Sequence, residues 1–140
     1  MSNKEISNNF LFVDLPFYIV IALPFLLVTG PFLADLAVSF IAINFIFYCF
    51  FDKNYKYFNN IYFKLFLLFN FFIWLITLLN LNNYESFFNL KTPIFYFRFG
   101  FFSLAIWHLI ENKKSFFINF YWSILLIFLI LIVDSFFQFF

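Results

Sequence analysis

The chain has 140 residues, of which 66% are apolar and 11% charged, with eight basic and seven acidic side chains leaving a formal net charge of +1. A soluble domain carries about 25% charged residues, and so few charges cannot cover a water-exposed surface of this size, so a bilayer is the solvent for most of the chain. The near-zero charge, with no Lys/Arg cluster interleaved with exposed aromatics, excludes nucleic acid as a partner. The single cysteine, Cys49, excludes an internal disulfide and a Cys-based zinc site. The 31 phenylalanines accompany abundant Ile, Asn, Lys and Tyr, the pattern of an A/T-rich genome, and none is assigned a function.

A spanning helix needs about 20 mostly apolar residues at about 1.5 Å each to cross a hydrocarbon core of about 30 Å. Five segments meet that standard, which predicts an all-α, polytopic bundle forming a single transmembrane region. The first runs from about Phe10 to Thr29, with Pro24 inside, where the lost N–H predicts a kink, and with Asp14 before Leu15-Pro16 as an expected N-cap. It lacks a small-residue cleavage site before Gly30 and is therefore expected to stay as a mature helix. Gly30 and Pro31 form a tight turn into the second, about Phe32 to Phe51. The stretch DKNYKYFNN, Asp52 to Asn60, reads as an exposed loop whose tyrosines suit the headgroup layer.

The third helix covers about Ile61 to Leu79, with Lys64 near enough to its start to snorkel outward. A polar loop from Asn80 to Thr92 leads to the fourth, Pro93 to about Ile110, and the short turn ENKK leads to the fifth, about Ser115 to Val133. Short cytoplasmic loops retain positive charge. Placing the N-terminus in the cytoplasm puts Lys4, Lys53, Lys56, Lys64, Lys113 and Lys114 inside and leaves Lys91 outside, with Trp107, Tyr121 and Trp122 toward the inner face.

An ionised group in hydrocarbon costs at least about 2.5–3.5 kcal/mol and should face protein, a cavity or the interface. Counting depth along the helices brings five polar residues to the outer leaflet: Arg98, Lys91, Asp35, Asp134, which is expected to close the fifth helix, and Gln138 one turn beyond it. They read either as snorkelling groups and helix ends or as an outward-facing site in which Arg98 holds a phosphate bidentately. Asn44 and Asn70 fall at matched depths on the second and third helices and are expected to hydrogen-bond across that hairpin as a structural pair. His108 beside Trp107 reads as a neutral interfacial imidazole. No Gly-rich phosphate loop, H-E-x-x-H or G-x-S-x-G signature is present.

Two stretches carry a family likeness: KTPIFYFRFGFFSLAIW, Lys91 to Trp107, with its basic residue early in an inward-running helix, and VDSFFQFF, Val133 to Phe140. With these the chain resembles the N-terminal part of the bacterial O-antigen polymerase and O-antigen ligase family, polytopic glycosyltransferases of the inner membrane. Because the sequence stops within VDSFFQFF, the resemblance implies the N-terminal part of a longer protein, with the family's catalytic residues in a later portion. It implies transfer of an undecaprenyl pyrophosphate-linked oligosaccharide at the periplasmic face, no metal and no cofactor, and contact with membrane lipid and polysaccharide-assembly proteins. Of the residues here, only Arg98 is offered for stabilising the departing pyrophosphate. Two other readings are a small accessory flippase of polyprenyl-linked sugars and a structural subunit of a membrane complex.

Overall fold

The computed structural model describes residues 10–79 and 91–139, with the side chains of 91–94 outside the description. Among the described residues five helices follow in order: α1 over Phe10–Thr29, opening with a π turn at Phe10–Asp14; α2, Pro31–Asp52; α3, Ile61–Leu79; α4, Lys91–Asn112; and α5, Phe116–Phe139. A 3-10 turn, Lys56–Asn59, bridges α2 and α3, and no strand occurs among the described residues. Four helices, α1, α2, α3 and α5, are each long and apolar enough to cross a membrane. Their outward faces carry Phe32, Phe50, Tyr62, Leu79 and Phe137, all strongly exposed, so hydrocarbon and not water must solvate them. The molecule is a helical membrane bundle.

The polar exception, α4, holds Lys91, Arg98, Glu111 and Asn112 within its 22 residues. At about 1.5 Å per residue it extends about 33 Å. It is long enough to span but too polar to face lipid on all sides, and it packs against both α2 and α3. The helices therefore neighbour one another in the order α3, α4, α2, α1, α5, with a lighter contact between α4 and α5. The reason lies in the small residues. On α2 the buried stripe is Ala34, Ala37, Val38, Ile41, Ala42, Phe45 and Cys49, at helical spacing, and its alanines let backbones approach. Cys49 is free and packs in the core. On α4, Gly100 faces Phe66 of α3 so closely that a Cβ would stand 2.3 Å from the ring. Away from lipid, α5 joins α1 through Phe116 and Ile127, and Ser123 donates its hydroxyl to the Ile21 carbonyl.

Several expectations are corrected. Asp14 is helical and makes no cap; its carboxylate pairs with Lys113 instead. Gly30, at φ +144°, adopts a conformation that favours glycine and sets Pro31 at the start of α2, as the turn requires. α5 does not end near Asp134 but continues to Phe139, with Asp134 and Gln138 bonded to each other one turn apart within the helix. Tyr57 is not a headgroup residue; it is 3% exposed and belongs to the core.

Candidate functional site

Near the Pro31 end of α2, Asp35 and Ser39 lie one turn apart on one face. Arg98 of α4 reaches this face: Nη2 forms an ion pair with Asp35 Oδ1, and Nη1 donates to Ser39 Oγ at 3.1 Å. Ser39 in turn donates to the Asp35 carbonyl at 2.8 Å, which fixes its lone pairs for the guanidinium. The rings of Phe95 and Phe99 flank the charge, with Arg98 Cζ 5.8 and 5.0 Å from their centroids. Arg98 side-chain exposure is 24% while that of Asp35 is 50%, and Arg98 Nε is buried without a partner. A guanidinium held this way is not a lipid-facing anchor. It presents a planar donor fork, braced from one side by Ser39 and paired with a half-exposed carboxylate.

The other residues expected at this site divide. Asp134 and Gln138 form their own pair, Nε2 to Oδ2 at 2.8 Å, on a helix that packs chiefly on α1, and no hydrogen bond or ion pair among the described residues ties them to Arg98 or Asp35. The Lys91 side chain lies outside the described residues. Asn44 and Asn70 do not bond to each other: Asn44 donates to the Leu11 carbonyl at 3.1 Å, Asn70 donates to the Phe66 carbonyl at 2.9 Å, and both Oδ1 atoms lack partners. The physical reason is the insertion of α4 beside α2, which places the α2 core face against α4 and not against α3.

At the opposite end of α4 stands a second polar group, built around the histidine that the sequence reads as interfacial. Tyr57, tucked under the 3-10 turn, places its hydroxyl 2.8 Å from Glu111 Oε2 and 3.0 Å from His108 Nδ1. Glu111 also accepts from Lys56 Nζ at 2.8 Å and Trp107 Nε1 at 3.0 Å. Burial, followed by the Glu111 carboxylate, pushes the Tyr57 phenol well above its ordinary range. The hydrogen bond from Lys56 leads the causes that hold Glu111 below the usual carboxylate range. His108 is 3% exposed, its ring centroid 4.2 Å from that of Tyr48. The spacing of Trp107, His108, Glu111 and Asn112 on one helix end is the signal the sequence offers for this group; their partner Tyr57 is not visible from it.

No group of His, Cys, Asp and Glu among the described residues is arranged to hold a metal ion. Geometry thus defines the class, a helical membrane protein with an arginine-centred polar site on α2 and α4. Comparison with protein-family models, curated proteins and solved structures found no match at any of the three levels.

Proposed function

We propose that this chain is the membrane-embedded part of a glycosyltransferase that polymerises or ligates undecaprenyl-linked surface-polysaccharide units at the periplasmic face of a bacterial inner membrane. The supporting observation is Arg98, whose largely buried guanidinium is held by Asp35 and Ser39 with the Asp35 carboxylate half-exposed beside it. In this reading the pyrophosphate of the lipid carrier displaces Asp35 and takes both Nη donors, and Ser39 keeps the fork oriented. As the carrier leaves, its growing negative charge meets a donor set already in place, the arrangement that lowers such a barrier. The acceptor's base is assigned to no residue of this chain.

Complementation of a strain lacking the gene tests the reading. Arg98→Lys keeps the charge but loses the bidentate fork, so the expected result is a clear shortening of the surface-glycan ladder at unchanged membrane abundance, with Arg98→Ala more severe. Normal ladders from both variants would remove Arg98 from substrate handling.

A further inference from the structure

The face of α4 opposite the arginine site holds a groove of a different character. Trp107 follows Arg98 by about two and a half helical turns, so the two side chains leave opposite sides of the helix. On the Trp107 side, α4 meets α3 most closely where Gly100 faces the Phe66 ring. From that contact toward the lysine-rich end of the bundle, the two helices leave a half-open groove of about 380 Å³. It runs from Phe99 to Trp107 along α4 and from Phe66 back to Asn60 along α3.

The occupant of this groove must be thinner than a helix. Phe99 to Trp107 covers about 12 Å, and a helix about 10 Å across would need about 900 Å³ over that length, more than twice the volume of the groove. Bulk water is absent from the hydrocarbon core, and the walls are mainly apolar, with Phe63, Phe66, Phe99 and Leu104 among them. A single hydrocarbon chain drawn from the bilayer meets both conditions.

Polar atoms orient that chain. Thr29, Ser39 and Thr77 each donate to a carbonyl of their own helix at 2.8 to 2.9 Å, the usual resort of a helical hydroxyl. Ser103, in the groove, donates to no acceptor among the described residues, so its O–H is available about 6 Å along the helix from Trp107. At the mouth, Trp107 Nε1 donates to Glu111 Oε1 at 3.0 Å, and Lys56 Nζ donates to Glu111 Oε2 at 2.8 Å. The Lys56 side chain is 60% exposed, and its ammonium has further N–H groups for a second anion. Indole and lysine together mark the headgroup layer, and the ester carbonyls of a phospholipid lie just beneath its phosphate.

We propose that the groove between α3 and α4 binds one acyl chain of an anionic phospholipid, with Ser103 donating to the ester carbonyl and Lys56 to the phosphate. The site is separate from the Arg98 reading, since the two occupy opposite faces of α4. Trp107 reports on it directly, because bromine on an acyl chain quenches an indole that it touches. Trp74→Phe with Trp122→Phe leaves Trp107 as the reporter; Trp74→Phe with Trp107→Phe leaves Trp122, exposed on α5. Each protein is placed in phosphatidylcholine vesicles with a rising fraction of phosphatidylglycerol brominated on its acyl chains. Trp122 quenching should rise in proportion to that fraction, as for lipid in random contact, while Trp107 quenching should saturate at a small fraction. Ser103→Phe, at an exposed position, fills the groove and should return Trp107 to the proportional response. Lys56→Gln should weaken the preference about fivefold, the worth of one lysine beside anionic lipid. A proportional Trp107 response like that of Trp122, or saturation that survives Ser103→Phe, would overturn the site. Equal saturation with brominated phosphatidylcholine would overturn the part assigned to Lys56.

Discussion

Asp35 on α2 and Arg98 on α4, 63 positions apart in sequence, close an ion pair across the most extensive helix contact of the bundle. Glu111 lies further along the same α4, about 20 Å away at about 1.5 Å per residue. There it meets the lysine-rich end where Lys56 and Lys113 find their carboxylates. Positive loops stay in the cytoplasm, so reporter fusions after Asn54 and Asn112 should report cytoplasmic and one after Gly30 periplasmic. A periplasmic signal at Asn54 would invert the bundle and place Arg98 on the wrong face for a periplasmic reaction.

Burial separates two tyrosines of one loop. Tyr57 is 3% exposed and Tyr55 is 54% exposed. Removing a buried aromatic side chain costs about 3–5 kcal/mol, whereas surface changes stay within about 0.5 kcal/mol. Thermal unfolding in detergent should show a large loss of midpoint for Tyr57→Ala and little for Tyr55→Ala. Equal losses would mean that Tyr57 lies at the interface after all.

Four helices were legible because runs of about 20 apolar residues leave little freedom in a bilayer, while α4, read as a fifth such run, is a helix too polar to meet that standard. Helix adjacency was not: the Asn44–Asn70 pair assumed that consecutive helices form hairpins, while α4 takes the place beside α2. Depth counting brought Arg98 and Asp35 to one leaflet but said nothing of Ser39, a hydroxyl that costs little in lipid and so raised no question. The Tyr57–His108 contact crosses 51 positions between a loop and a helix, a relation that no local periodicity carries. The Asp134–Gln138 pair was displaced from the site for a like reason, since α5 packs on α1.

Close approach of α3 and α4 depends on Gly100, where a Cβ would stand 2.3 Å from Phe66 Cε1. Alanine there requires the Phe66 ring to swing away, and leucine requires the helices to separate. Overpacking of this kind costs about 1–3 kcal/mol, so Gly100→Leu should lower the unfolding midpoint, and Gly100→Leu with Phe66→Ala should recover part of the loss. Failure of the second change to help would locate the strain elsewhere.

Acid should act through Glu111. Its folded carboxyl titrates below the usual range because Lys56 and Tyr57 hold the charged form. The stability it contributes is therefore present above its unfolded pKa and lost as pH falls through the folded one. Comparing wild type with Glu111→Gln by thermal unfolding across that window should show the difference shrinking on acidification. A pH-independent difference would exclude the ionised pair as its source.

The reading of Arg98 as a pyrophosphate clamp, and not half of a structural ion pair, is tested most directly by exchanging the charges, Asp35→Arg with Arg98→Asp, and measuring surface-glycan ladder length at matched membrane abundance. The exchange keeps a cation and an anion in contact between α2 and α4 but moves the guanidinium to the other helix, away from Phe95 and Phe99 and from the donor position set by Ser39. The account predicts unchanged protein level with ladders still short. Ladders of normal length from the exchanged protein would contradict it.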